Sequence, residues 1–303
     1  MTKVLIIGAG AIGAFYGALL AKVGVDVAVV CRSNYHRVKE RGFTIQSEIF
    51  GQWHFMPSQV VSTVEDYHDC ADYVLLCCKV LPDIDRVKLI KPAIHENTAI
   101  VFIQNGVEIE QELIEAFPQQ PVISGLAFIC VNQTAPSHIH HLAYGRLVLG
   151  DLPYGISPHT KQLSDYFSLS GIECSASADI VTERWKKCIW NAPFNPLSVL
   201  SGGLTTADIL QSQEPFVRLI MQDVVNIANA LGHPVSASLI DANMTNTHAM
   251  PPYKTSMLLD FENHRPMEIE AILGNARRAA QRVNISVPYL DALYALLQLR
   301  SLS

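Results

Sequence analysis

Lys187, Asn191 and Asn195 stand at i, i+4 and i+8 in the stretch Arg184-Trp185-Lys186-Lys187-Cys188-Ile189-Trp190-Asn191-Ala192-Pro193-Phe194-Asn195-Pro196. On a helix turning 100° per residue they fall within ~80° of one another, on one face. Trp185, Ile189, Trp190 and Phe194 surround them, so the helix is expected to be largely buried. A Lys-Asn-Asn line on a buried helix is costly unless something satisfies it. A cleft holding a carboxylate and a carbonyl would do so, and a lysine there can act as general acid toward an oxygen that gains charge. The competing reading is a solvated stripe on a half-exposed helix. Pro193 lacks a backbone donor and is expected to kink the run, which loosens the placement of Asn195.

A second group of polar residues lies further on. Ser256-Met257-Leu258-Leu259-Asp260 is followed by Arg265-Pro266-Met267-Glu268-Ile269-Glu270. Glu268 is expected in the first helical turn after Pro266, where an acid also does the ordinary work of complementing the helix dipole. Spacing alone does not choose between that and a catalytic role. His138, His140 and His141 are close in sequence, but strand alternation sends His140 away from His141, so no metal is expected. No G-x-S-x-G elbow supports serine hydrolysis.

Near the N-terminus, Gly8-Ala9-Gly10-Ala11-Ile12-Gly13 forms G-x-G-x-x-G between an apolar run, Val4–Ile7, and a helical run, Ile12–Val23. The first glycine permits a tight turn, the second lets backbone approach a pyrophosphate, and the third lets helix and strand pack closely. A dinucleotide is therefore expected against Gly8, Gly10, Ala11, Ile12 and Gly13; an unrelated glycine turn is the alternative. After the second run the chain reads Cys31-Arg32-Ser33-Asn34, with no acid before Glu40. An acid there would grip ribose hydroxyls and repel a 2′-phosphate, whereas Arg32 suits the phosphate. The cofactor expected is NADP(H), unless Arg32 is merely a solvated loop residue. Two further strand ends run into Cys78-Lys79 and Gln104-Asn105-Gly106. Lys79 there suits a phosphate or carboxylate, and Asn105 a ribose or a substrate oxygen. A surface lysine and an Asn-Gly turn are equally ordinary readings.

The chain that must position these residues has 303 of them, enough for two domains. It is 49% hydrophobic and only 17% charged, which excludes disorder. The apolar segment Val4–Val30 is broken by glycines and reads as strand, turn, helix and strand, so no membrane span is expected. The net charge of −6 comes from 22 basic and 28 acidic residues without a basic stripe, which argues against nucleic acid. Seven cysteines, odd in number and without C-x-x-C, fit reduced thiols in a cytoplasmic protein. Continuous apolar runs at Val4–Ile7, Val27–Cys31, Tyr73–Cys77, Ala99–Ile103 and Val122–Cys130 suit parallel strands covered on both faces. Ser137–Gly150, with Tyr144-Gly145, reads as a hairpin. After about Asp179 helical patterns take over, at Ile180–Leu200, Pro215–Leu231, Ala237–Met244, Pro266–Val283 and Pro288–Leu299. The architecture expected is α/β: an N-terminal Rossmann-type doubly wound sheet over residues 1–178, then an all-α domain over residues 179–303.

Taken together, these motifs resemble the ketopantoate reductase (2-dehydropantoate 2-reductase) family over nearly the full length. The resemblance rests on G-A-G-A-I-G, Arg32, the Lys79 and Asn105-Gly106 loops, W-K-K-x-x-x-N-x-x-x-N-P-L at 185–197, and S-M-x-x-D at 256–260 with R-P-x-E-I at 265–269. It implies NADPH-dependent reduction of a 2-keto acid to a 2-hydroxy acid in pantothenate synthesis. By that analogy Lys187 is the general acid, and Glu268 orients Lys187 or the nicotinamide ribose. Asn191, Asn195 and Ser256 hold the small-molecule substrate, Asn105 bridges cofactor and substrate, and Arg32 and Lys79 address the cofactor. A homodimer is left open.

The family's asparagine about ten residues after Asn195 is replaced within Gly203-Leu204-Thr205-Thr206. The one three residues before Ser256 is Tyr253, and its later Asn-Gly reads Leu273-Gly274. These departures bear on which 2-keto acid is used more than on the reaction. A non-catalytic NADP-binding sensor would not need Lys187, Asn191, Ser256 and Glu268 in register. A dehydrogenase of phosphorylated or β-hydroxy acids would need more Arg and Lys in the helical domain.

Overall fold

In a computed structural model, which describes residues 1–302, the chain divides into two compact units. The first comprises residues 1–79, 84–104 and 110–180; the second comprises 80–83, 105–109 and 181–303.

The first unit is built on one ten-stranded sheet. Its strands are β1 (Lys3–Ile7), β2 (Asp26–Val30), β3 (Phe43–Ser47), β4 (Gly51–Phe55), β5 (Gln59–Val61), β6 (Tyr73–Leu76), β7 (Ala99–Ile103), β8 (Val122–Ala135), β9 (His138–Asp151) and β10 (Cys174–Ala176). The order is β4-β3-β9-β8-β7-β6-β1-β2-β5, with β10 beside β9. Its centre is parallel, while the pairs β8–β9 and β3–β4 are antiparallel, so the sheet is mixed. Helices α1 (Ala11–Lys22), α2 (Tyr35–Arg41), α3 (Arg86–Ile90), α4 (Gln111–Ala116) and α5 (Pro158–Leu169) complete the unit. Val4, Ile6, Leu75 and Val101 from the sheet pack with Phe15, Tyr16 and Leu19 of α1 in its core.

The glycine loop takes the form its sequence requires. Gly8 has φ +96°, and a Cβ on it would lie 2.4 Å from the backbone nitrogen of Cys78. A Cβ on Gly13 would lie 2.4 Å from the Gly8 carbonyl oxygen and 2.9 Å from Ile6. Around Gly10 there is open space instead.

One expectation of local structure is corrected here, and one hairpin is added. Ser137–Gly150 is not a hairpin in itself: from His138 on it belongs to the single strand β9, which pairs along β8 after a turn at Pro136-Ser137. Tyr144 and Gly145, both with positive φ, form a bulge where Phe128 faces Arg146 but Ile129 faces Tyr144. The hairpin β3–β4 was not anticipated, because its polar, glycine-containing strands lack a continuous apolar run.

The second unit is helical: α6 (Ile180–Leu200, whose first residue closes the first unit), α7 (Thr206–Ala230), α8 (Ser238–Ala249), α9 (Ser256–Glu262), α10 (Asn275–Arg282) and α11 (Pro288–Arg300). Its core gathers Trp185, Ile189 and Phe194 with Val217, Ile220 and Leu273. Helix α7 begins well before Pro215, because Thr205 and Asp208 form a capping box at its start. Pro215 lies inside, and the chain absorbs it by leaving helical geometry at Gln213. Among the described residues, no helix is long and apolar enough to cross a membrane.

Gly8→Ala forces a side chain into backbone at a positive φ, at a cost of about 1–3 kcal/mol. It is expected to lower the thermal unfolding midpoint by several degrees. Gly10→Ala enters open space and is expected to leave the midpoint within about a degree or two. Calorimetry of both variants checks the contrast.

Candidate active site

Helix α6 continues through Pro193 and Pro196 as one helix, so the expected break at Pro193 is absent. Each proline still withdraws one ladder hydrogen bond. The helix is held by its surroundings: Trp185, Ile189, Ala192 and Phe194 are fully buried.

On α6, Lys187 Nζ donates to Asn105 Oδ1 at 2.9 Å. Asn105 Nδ2 donates in turn to Glu268 Oε2 at 3.2 Å. The other oxygen of Glu268 accepts from the Val80 backbone N–H at 3.0 Å. The amide of Asn105 thus bridges the cation and the carboxylate. Lys187 is half-buried, yet its ammonium is desolvated and its pKa is lowered to about 7. Burial is the largest cause, the neighbouring Arg184 guanidinium adds to it, and Glu268 opposes both. Near neutral pH such a group can give or take a proton, which a solvated lysine cannot do efficiently.

Glu268 does not lie in a first helical turn. It precedes the helical geometry, which starts at Ile269 and passes through a π-helical segment, Glu270–Gly274, into α10. In that widened turn the Ala271 carbonyl accepts from the Val107 N–H at 3.1 Å. Asn275 Nδ2 donates to the Val107 carbonyl at 2.8 Å. Gly106 has φ +108°, and a Cβ there would lie 2.6 Å from the Ala271 oxygen. The 105–109 loop is therefore clamped by the segment that follows Glu268.

Asn191 and Asn195 are 7% and 2% exposed. Neither is sealed away as a buried orphan, and neither amide bonds to another described residue. Their hydrogen-bonding capacity remains open. Ser256 is exposed at the first position of α9 and is not joined to the Lys187 chain. In the first unit, Arg32 is exposed after β2 with no carboxylate partner among the described residues, and half-buried Lys79 follows β6. His141 is buried and bonded to Ser47, while His140 pairs with Glu48. Among the described residues no group of three or more His, Cys, Asp or Glu could hold a metal.

Sequence reading missed Arg184, which is buried and donates to the Gly106 carbonyl at 2.9 Å. Its only signal was its position three residues before Lys187. The roles of the Val80 amide and the Ala271 carbonyl had no side-chain signal at all.

A glycine turn opening α1 beneath a largely parallel sheet, with a desolvated lysine on a helical unit, defines a Rossmann-type oxidoreductase. Comparison with known proteins narrows the class. The family model described as ketopantoate reductase PanE/ApbA matches residues 4–154, and its C-terminal companion matches residues 179–301. A 2-dehydropantoate 2-reductase of Nostoc sp. is 33% identical over 298 residues, covering 96% of this chain and 93% of the relative. The crystal structure of 2-dehydropantoate 2-reductase from Methylococcus capsulatus superposes with a TM-score of 0.94 at 52% identity, covering 99% of this chain and 97% of that one. The Geobacter metallireducens structure of the same description gives 0.92 at 32% identity, with 98% and 99% covered. The chain belongs to the ketopantoate reductase family, and membership implies a nicotinamide cofactor.

The depressed pKa of Lys187 has a consequence for stability. The unfolded chain holds this proton up to about pH 10.5, whereas the folded chain sheds it from about pH 7. Stability rises with pH where the unfolded state binds more protons. Lys187 therefore weakens the fold most below pH 7, and the penalty fades between pH 7 and 10.5. The stability of Lys187→Met relative to the native chain is expected to fall as pH rises from 6.5 to 9.5. Denaturant unfolding at both pH values measures it, and a constant difference would contradict the assigned pKa.

Proposed function

We propose that this chain reduces 2-dehydropantoate to pantoate with NADPH, in pantothenate biosynthesis, with Lys187 as general acid. The observation that carries the reading is the Lys187–Asn105–Glu268 chain around a lysine whose pKa is about 7.

The residues present fit a dinucleotide. Gly8 holds the turn, Gly10 leaves room for close approach, and the first N–H groups of α1 carry no side-chain cap. Ala11 and Ile12 open that helix. Arg32 answers a 2′-phosphate, and Lys79 answers a phosphate or ribose oxygen. A nicotinamide held there would supply the hydride for C2 of the keto acid.

The protein's own part is proton and position. Lys187 donates a proton to the ketone oxygen as negative charge develops there. Asn105 orients the ammonium, and Glu268 fixes Asn105 and supports the charged form of the lysine. Asn191 and Asn195, with their amides open, hold the substrate's hydroxyl and carboxylate, and Ser256 adds a hydroxyl. The chain carries Lys187, Asn191, Ser256 and Glu268 together, which favours an enzyme over a silent NADP-binding sensor.

One observation favours a second reading, a different 2-keto acid. Two of the three places where expected asparagines are missing adjoin each other: the Thr206 N–H donates to the Tyr253 carbonyl at 3.0 Å. Thr205 is committed to capping α7. A substrate-facing change at both positions would act at one spot. A homodimer, the state of the ketopantoate reductase from Staphylococcus aureus, is the assembly to look for.

Absorbance of NADPH and NADH, followed with 2-dehydropantoate and a panel of 2-keto acids, tests the reading. Turnover of 2-dehydropantoate with NADPH is expected, and no turnover of any keto acid would end the enzyme reading. Lys187→Ala is expected to lower kcat by about a hundredfold or more. Arg32→Ala removes a charge-assisted bond and is expected to raise KM for NADPH by about tenfold or more while leaving NADH use little changed.

A further inference from the structure

Arg184 and Lys187 are three residues apart on α6, on neighbouring turns of one face. Both are directed to the same loop, at consecutive residues. Lys187 bonds the Asn105 side chain, and Arg184 Nη1 bonds the Gly106 carbonyl at 2.9 Å. Arg184 is only 1% exposed. A buried guanidinium is costly, and three residues from another cation it is costlier still. Packing alone does not call for it there.

The other charges on the elements packed around Lys187 are accounted for. Glu183 pairs with Lys186, Glu108 with Arg282 and Glu270 with Arg278. Asp83 is exposed. Arg184 and Glu268 are the charges that act on the Lys187 ammonium, in opposite directions.

We propose that Arg184 is a positioning residue for the reduction: it pins the Asn105-Gly106 peptide so that Asn105 stays on Lys187, and it sets a fixed positive charge one turn from that ammonium. The first role follows from geometry. Asn105 must hold Lys187 and Glu268 at once, so movement of its backbone would break one bond or the other. The Arg184 bond, the Val107–Ala271 bond and the Asn275 contact fix that backbone from three sides. The second role follows from like charges in a desolvated place, where Coulomb energy is weakly screened. Glu268 alone beside Lys187 would hold the proton more firmly.

The inference rests on Lys187 being the general acid, so its test includes Lys187→Ala. The measurement is kcat against pH from 6 to 10, with saturating NADPH and 2-dehydropantoate. Reduction needs protonated Lys187, so kcat falls as pH rises through its pKa. Arg184→Gln keeps a donor but drops the charge, and its falling limb is expected about one unit higher. Arg184→Lys keeps the charge but loses the planar fork. Its limb is expected to stay in place while kcat drops severalfold and KM for NADPH holds. A merely structural arginine would lower activity without moving the limb. An unmoved limb in Arg184→Gln overturns the charge role, and native kcat in Arg184→Lys overturns the pinning role. Should Lys187→Ala itself keep native turnover, the general-acid reading fails first, and this inference with it.

Discussion

Removing the Lys187 ammonium from water is the constraint on which the helical unit's polar interior depends. A lysine in bulk water keeps its proton far above neutrality and is a poor acid for a ketone. Here burial and a neighbouring guanidinium bring it to about 7. Such a cation must be met by geometry, or it would turn toward solvent. Asn105 meets it, Glu268 holds Asn105, and the Val80 amide holds Glu268. Each link satisfies a polar group that burial would otherwise penalise.

The backbone around this chain is shaped to serve it. The π-helical segment 270–274 widens the turn after Glu268, and the Ala271 carbonyl there accepts the Val107 N–H. Gly274 has no side chain where the Glu270 carboxylate sits, since a Cβ would lie 2.3 Å from Oε2. That carboxylate is held by Tyr294, Gln298 and Arg278. In the first unit a parallel arrangement of backbone groups applies. Arg86 is bonded to Glu112 and Gln104, and Gln104 to the Cys78 carbonyl, beside the nitrogen that Gly8 approaches. Irregular backbone near functional positions is thus bought with buried polar anchors.

Much of the fold was legible because its signals are local. Continuous Val/Ile runs marked β1, β2, β6 and β7 to within a residue or two, and Ala99–Ile103 and Ile180–Leu200 match their elements end to end. Misreadings came where a local sign has two meanings. Tyr144-Gly145 carries positive φ, which serves a bulge as well as a turn. Pro215 can open a helix or be lodged within one, and the capping box of Thr205 and Asp208 upstream decided the matter. Pro193 did not break α6, because a deeply packed helix tolerates a missing bond that an exposed one would not. Glu268 sat just outside the helix expected to contain it, because its carboxylate is bound to Val80 and Asn105 rather than to a helix end.

By itself the sequence determined what short-range geometry controls. It set the glycine turn, the parallel strands, and the face of α6 that carries Lys187, Asn191 and Asn195, since residues four apart on a helix share a face whatever surrounds them. The tertiary structure decided which distant groups meet that face. Asn105 is 82 residues from Lys187, and Glu268 is 163 from Asn105. No periodicity spans such separations; only the path of the chain does. It also decided that Arg184 faces inward beside Lys187, and so what proton affinity the lysine has. Proton affinity depends on desolvation and on neighbouring charge, and both exist only once the chain is folded.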